Sequence, residues 1–171
     1  ITSSYGADGA GSLPAPVYTL SAIAGPSGLI DVATGQNVIL SMNAGVVEGR
    51  TATSNDLVFT VSVDNLGNVT LDQIRALQHP NTSNPDDAVT LSSADLIKIT
   101  ATSTITDRDG DHQTSSASID IGTALSFKDD GPSISVSTVG TADMLTVDES
   151  NLALNASANF ADNFNITSSY G

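Results

Sequence analysis

Cysteine is absent from this chain of 171 residues, which excludes disulfide bonds and thiolate metal sites. An extracellular protein without disulfides needs another means of stabilising its fold. Apolar runs of ~18 residues are also missing, so the sequence predicts no insertion into a membrane. The length is sufficient for one hydrophobic core, or for one domain and part of a second.

Basic residues are scarce: five Lys and Arg stand against 19 Asp and Glu, and the formal net charge is −14. No basic patch can be built from five dispersed cations, so the sequence predicts that nucleic acid is not a partner. Only Glu48 and Glu149 are glutamate, and aspartate supplies the other 17 acids. Aspartate favours turns and compact cation sites over helices, which indicates a β protein with acidic loops.

Short β-branched and apolar runs alternate with polar residues between Gly, Asn and Asp clusters. The clearest run is Leu57–Val63, in which every second side chain is apolar, and the turn Asp64–Asn68 after it indicates a hairpin. The sequence predicts an all-β, immunoglobulin-like antiparallel β-sandwich with at most one short helix, around 71–78. That helix is expected because Leu71, Ile74 and Leu77 are spaced by three residues. The predicted strands are Val17–Ile23, Asn37–Met42, Leu57–Val63, Ile97–Thr106, Thr114–Ile121, Leu125–Lys128, Ser133–Val139 and Leu145–Val147.

The sharpest motif is the segment Thr106–Asp111, with the sequence Thr-Asp-Arg-Asp-Gly-Asp. Its carboxylates, at Asp107, Asp109 and Asp111, alternate around a glycine turn and can converge on one hard cation. Calcium binds six to eight oxygens and tolerates irregular geometry, so this spacing predicts a Ca²⁺ site. The alternative interpretation is an acidic turn that serves solubility.

Further acids are candidate ligands of the same kind. Asp129 and Asp130 end a predicted strand that runs toward the Asp107–Asp111 turn, so the two clusters are expected to meet at one end of the sandwich. Asp148 and Glu149 follow a predicted strand, and Asp8 lies in a glycine-rich loop. Ordinary turn chemistry is the alternative for all of these residues.

The same six residues, Ile-Thr-Ser-Ser-Tyr-Gly, occur at positions 1–6 and 166–171. Self-similarity at a fixed distance is typical of repeat architectures. The sequence therefore predicts a piece of a tandem array with a period of about 165 residues. We expect 1–130 to be the body of one repeat, and 131–171 to be a linker and the opening strands of the following repeat. Residues 131–171 are expected to pack back on the same sandwich, with strand exchange between molecules as the alternative.

Four segments together resemble the extender repeats of giant RTX adhesins, bacterial proteins exported by type I secretion. They are YGADGAGS at Tyr5–Ser12, TDRDGD at Thr106–Asp111, SFKDDGPSI at Ser126–Ile134 and LTVDES at Leu145–Ser150. The resemblance implies immunoglobulin-like sandwiches joined end to end, with Ca²⁺ stiffening the junctions. Asp107, Asp109, Asp111, Asp129 and Asp130 match the junction acids, and Asp148 and Glu149 match the start of the next repeat.

The resemblance implies a structural spacer repeat, outside the cell at the bacterial surface, that projects an adhesive tip for attachment, biofilm formation or virulence. Its expected partners are neighbouring repeats of the same chain. The alternative function is a glycan-binding or host-binding module, although tryptophan is absent and aromatic residues make up only 4 % of the chain. No nucleophile elbow, triad or phosphate loop is visible, so the chain is predicted not to be an enzyme.

Overall fold

The computed structural model describes residues 2–170, and within that range every paired strand is antiparallel. The fold is all-β, as the sequence predicts, and residues 2–170 contain no α-helix. Three short 3₁₀ turns lie at Ala94–Leu96, Gly122–Ala124 and Phe160–Asn163. No helix in this range is long and apolar enough to cross a membrane. The strands are β1 (Ala10–Ser12), β2 (Val17–Ala22), β3 (Gly25–Ile30), β4 (Asn37–Asn43), β5 (Val46–Thr51), β6 (Leu57–Val63), β7 (Val69–Gln73), β8 (Ala88–Thr90), β9 (Ile97–Asp107), β10 (His112–Asp120), β11 (Ser126–Lys128), β12 (Ser133–Thr138) and β13 (Phe164–Ser169).

The chain forms two compact units. The first contains strands β1 to β11 and runs to Asp129, and the second contains β12, β13 and the short segment Ser83–Asp86. The predicted repeat period and the predicted role of 131–171 as the start of a following repeat stay predictions.

The largest sheet of the first unit is a meander of five strands, β3-β4-β5-β6-β7, in which each strand pairs with the next. The β4–β5 hairpin turns through Ala44 and Gly45, whose φ angles of 48° and 85° are both positive. Positive φ at both central residues gives a turn whose twist matches the flanking strands. The predicted β6–β7 hairpin around Asp64–Asn68 is confirmed.

A second sheet is built around the long strand β9. Strand β10 pairs with one edge of β9, while β1 and β2 share the other edge at its two ends. Strand β2 pairs with Ile97–Thr102, and β1 pairs with Thr106 and Asp107, where the acidic turn begins. The remaining strands of this unit, β8 and β11, form a small sheet of their own.

The core of the first unit is formed mainly by side chains of the meander, together with residues of β2, β9 and β11. Phe59 on β6 and Phe127 on β11 are both fully buried, and their ring centroids are 5.0 Å apart with a tilt of 58°. This contact joins the small sheet to the meander.

The helix predicted around 71–78 is wrong. Strand β7 runs through Leu71 and pairs with β6, so the strand pairing supplies the backbone hydrogen bonds that a helix would have made internally. The N–H groups of Ile74 and Arg75 then both donate to the carbonyl of Val58. Leu77 is buried and forms an isolated β-bridge with Asp31, so its spacing from Leu71 reflects a strand followed by a turn.

The other predicted strands are confirmed with small shifts at their ends, except one. Leu145–Val147 forms no strand, because its residues find no pairing partner within the described chain. Five strands were not predicted: β1, β3, β5, β8 and β13. Strands β1 and β8 have only three residues each, β3 and β5 carry glycine, proline or charge, and β13 is mostly polar.

Candidate metal centre

The turn that joins β9 to β10 curls around the carboxylate of Asp107. Oδ1 of Asp107 accepts hydrogen bonds from the backbone N–H groups of Gly110 (3.2 Å) and Asp111 (2.9 Å). The backbone N–H of Asp107 donates to the carbonyl of Asp111 at 2.9 Å. Gly110 has a φ of 105°, a value that side-chain-bearing residues rarely adopt. Local sequence therefore determines the shape of this loop.

Strand β1 brings a distant part of the chain to the same turn. Ala10 lies opposite Asp107 in the β1–β9 ladder, and the N–H of Arg108 donates to the carbonyl of Gly9 at 3.2 Å. The two backbones approach so closely that a Cβ at Gly11 would overlap the carbonyl oxygen of Asp107. Glycine at this position permits the approach, and the approach carries Asp8 to the turn.

Carboxylate oxygens of Asp8, Asp107 and Asp109, one from each residue, all lie within 4.8 Å of one another. Asp8 and Asp109 are exposed, and Asp107 is partly buried. Of the eight predicted metal ligands, these three are the ones that the structure groups together as a candidate acidic metal-binding triad.

The electrostatics of the turn are those of crowded like charges. The side-chain hydrogen bond with Asp109 is the main cause that lowers the pKa of Asp107, and backbone N–H groups lower it further. The same contact and the repulsion from Asp107 raise the pKa of Asp109. Within residues 2–170, no lysine or arginine forms an ion pair with the triad. The negative charge at this turn is therefore not balanced by a basic side chain.

The donor set fits a hard divalent cation. Two oxygens bound to one Ca²⁺ can be at most about 5 Å apart, twice the usual metal–oxygen distance, and the triad lies inside that limit. Three carboxylates supply part of the coordination shell, and backbone carbonyls and water would complete it. Metals that prefer sulfur or nitrogen ligands do not suit a site made of carboxylate oxygens alone.

Asp111, the third acid of the predicted motif, is not in the triad. It lines an adjacent open cleft of about 430 Å³ together with Ser4, Tyr5, His112 and other residues of the hairpin. Its backbone holds the turn closed through both hydrogen bonds with Asp107 described above.

The remaining predicted ligands occupy other places. The N–H of Asp129 donates to the carbonyl of Asp87 at 2.7 Å, which extends the β8–β11 ladder. Asp130, Asp148 and Glu149 belong to the second unit. There Oδ1 of Asp148 accepts from the N–H of Ser150 at 2.8 Å, a bond that lowers the pKa of Asp148. Metal binding by these four residues stays a prediction.

The pairing of Asp8 with the hairpin turn was not predicted, although Asp8 was a candidate ligand. The signal that could have found it is the run of small residues from Gly9 to Ser12, which allows one backbone to approach another closely.

Substitution of Gly11 by alanine tests how this approach is held. We expect Gly11→Ala to push β1 away from β9, so that the N–H of Arg108 loses its bond to Gly9 and exchanges with solvent at least tenfold faster (about 1.4 kcal/mol of local stability). Hydrogen exchange followed by NMR measures this directly. Ser12→Ala, on the same strand with an exposed side chain, is the matched control and should leave the Arg108 rate unchanged. An unchanged Arg108 exchange rate in Gly11→Ala would show that the pairing of β1 with β9 does not require glycine at position 11.

Fold and site together define an all-β antiparallel protein with an acidic cluster where an N-terminal strand meets a hairpin turn. The chain belongs to the family described as a domain of unknown function (DUF5801), whose model matches residues 1–122. The matched region contains the whole triad and strands β1 to β10. No curated protein and no solved structure matches the chain.

Proposed function

We propose that this chain is a structural spacer repeat of a bacterial surface adhesin and that Ca²⁺ bound at Asp8, Asp107 and Asp109 stiffens it. The triad is the observation that carries the proposal, because its three carboxylates come from two segments almost 100 residues apart in sequence. A cation held between them would tie β1 and the loop before it to the β9–β10 turn. A tie of this kind restrains the N-terminal end of the domain, which in an array is the end that receives the preceding repeat.

Several features support the adhesin context. The chain carries an internal sequence repeat, it is rich in aspartate, and four of its segments resemble RTX adhesin extender repeats. In this proposal the protein acts outside the cell, its partners are neighbouring repeats, and it catalyses no reaction.

Calcium should raise the melting temperature of the protein. A ligand that binds only the folded state at 100 times its Kd adds about 2.7 kcal/mol, which corresponds to a rise of roughly 10 °C in a unit of this size. Differential scanning calorimetry in saturating Ca²⁺ and in excess chelator measures the difference.

Asp109→Asn is the variant that isolates the site, since it removes one charge at an exposed position and preserves the side-chain shape. We expect it to lose most of the calcium-dependent shift. Asp72→Asn, an exposed aspartate on β7, is the matched control and should keep the whole shift. The proposal fails if the chelator leaves melting unchanged, or if Asp109→Asn keeps the full response.

Proton competition gives the same test a pH dependence. Because contact with Asp107 raises the pKa of Asp109 above its ordinary 3.8, protons should displace the cation at a higher pH than at an ordinary aspartate. The calcium-dependent shift in melting temperature should therefore shrink as the pH falls toward that raised pKa.

A further inference from the structure

The hairpin of the second unit has one apolar face. Strands β12 and β13 pair with Val136 opposite Ile166 and Thr138 opposite Phe164, and side chains alternate along each strand. Ile134, Val136, Phe164 and Ile166 therefore lie on one side of the hairpin. They remain exposed, from 50 % for Phe164 to 74 % for Ile134.

The opposite face is polar throughout. It carries Ser133, Ser135, Ser137, Asn165, Thr167 and Ser169. A sheet of two strands is only marginally stable by itself in water. A sheet with one apolar face is stable when that face is buried against another sheet or helix. This face therefore requires a partner.

The sequence of β13 indicates which surface the partner offers. Residues 167–170 repeat residues 2–5, Thr-Ser-Ser-Tyr. In the first unit Thr2 lines a cleft with Ala101, Ser103, Ser115 and Ala117, and Ser4 and Tyr5 line the next cleft with Ile105 and Gln113. The first copy of the repeated segment thus lies along β9 and β10.

The surface under that segment is suited to a second sheet layer. By register and alternation, Ala101, Ile105, Ala117 and Ile119 share the face of β9–β10 that continues from the core residue Ile97. Strand β10 is exposed along its whole length, and Ile119 is 65 % exposed. The hydroxyl of Ser103, on the same face, is buried without a hydrogen-bond partner. Apolar side chains on this face thus alternate with the polar residues Ser103, Ser115 and Gln113, and those on β10 are exposed.

We propose that the apolar face of β12–β13 packs on the β9–β10 face of a second copy of this chain. The segment that reaches this face in the first unit, residues 2–5, has the sequence of residues 167–170, which include the end of β13. The hairpin can therefore follow the same path along the face by taking the place of that segment. In an array the second copy is the neighbouring repeat. The inference rests on the array in the proposed function and does not require the cation.

The predicted contact is head-to-tail, because the donating and receiving faces differ. Each copy in solution can donate one hairpin and receive another, so the full chain should associate as its concentration rises. Sedimentation velocity from micromolar to millimolar protein should show a weight-average mass of two chains or more. Measurements with Ca²⁺ and with chelator separate this inference from the cation site, which is read from melting temperature.

Three variants of the full chain make the test specific. Val136→Thr with Ile166→Thr removes the donating face while retaining strand-forming residues, and should abolish association. Ile119→Thr weakens the receiving face and should lower association at least tenfold. Ser137→Thr with Thr167→Ser changes only the polar face of the hairpin and should associate as the parent does.

A mixture gives the sharpest outcome. The donor-defective and receiver-defective variants each retain one intact face, so together they should form a complex of one copy of each. Dimers in the mixture, at a concentration where each variant alone is monomeric, support the proposal. A parent chain that is monomeric at all concentrations, or association that survives Val136→Thr with Ile166→Thr, overturns it.

Discussion

Replacement of Asp31 by alanine is expected to remove about 3–5 kcal/mol from the free energy of unfolding, the usual cost of breaking a buried ion pair. Asp31 is completely buried, and its two carboxylate oxygens accept from Nε of Arg75 at 2.8 Å and Nη2 at 3.0 Å. The backbone N–H and the hydroxyl of Thr34 also donate to Oδ2, at 2.9 Å and 2.6 Å. Alanine would leave these donors without their acceptor.

The ion pair joins two distant parts of the meander. Asp31 follows β3 and Arg75 follows β7, and Asp31 also forms an isolated β-bridge with Leu77. The ion pair thus links the segments that follow β3 and β7, the two edge strands of the five-stranded sheet. Equilibrium denaturation in urea at neutral pH measures the loss.

Asp120→Ala is the control for this experiment, because Asp120 forms an exposed ion pair with Lys98 at 3.0 Å. Exposed pairs contribute about 0–1 kcal/mol, so the control should be nearly neutral. A loss of less than about 1 kcal/mol in Asp31→Ala would contradict a structural role for the buried pair.

The same group predicts an acid-sensitive component of stability. The hydrogen bonds from Arg75 are the main cause that lowers the pKa of Asp31 from 3.8 to about 2. A carboxylate with a lowered folded-state pKa stabilises the fold fully above its unfolded pKa and stops doing so as the pH falls through its folded pKa. This group should therefore contribute about 2 kcal/mol above pH 5, lost progressively toward pH 2. In Asp31→Asn that component of the pH dependence should be missing.

Phe59→Ala is expected to cost about 3–5 kcal/mol, the range for deleting a large aromatic side chain from a core. Phe59 is fully buried, and its ring lies over Gly49 so closely that a Cβ there would overlap it. The ring also contacts that of Phe127, so the deletion weakens the contact between the meander and the β8–β11 sheet.

Chemical denaturation measures this effect as well. Leu66→Ala is the matched control, since Leu66 is an apolar residue in the same unit that is 81 % exposed, and it should change stability by less than about 0.5 kcal/mol. Equal losses in the two variants would mean that the Phe59 ring is not the centre of the core.

Strand alternation was sufficient for much of the fold. Leu57–Val63 is a strand with the predicted bounds, because its apolar residues alternate and a turn sequence follows. Strands β3 and β5 escaped prediction, since the glycine and proline of β3 and the Glu48–Arg50 segment of β5 disfavour a strand locally. Strand β4 lies between β3 and β5 and pairs with both, and this pairing outweighs their local preferences.

The helix expected around 71–78 failed for a related reason. Leu71, Ile74 and Leu77, spaced by three residues, fit a helix. In the structure Leu71 and Leu77 face the core from a strand and a turn, and Ile74 between them is half exposed. Only the presence of β6 beside this segment selects the strand over the helix, because the backbone hydrogen bonds of β7 are made to β6.

For the candidate site, the sequence by itself determined a turn of alternating aspartates around Gly110, because the hydrogen bonds that shape the turn are local to Asp107–Asp111. It also determined the all-β class, through alternation and turn residues. The choice of Asp8 as the residue beside Asp107 was decided only by tertiary structure. That choice depends on the register of β1 against β9, and the register depends on a close backbone approach across almost 100 residues of intervening chain.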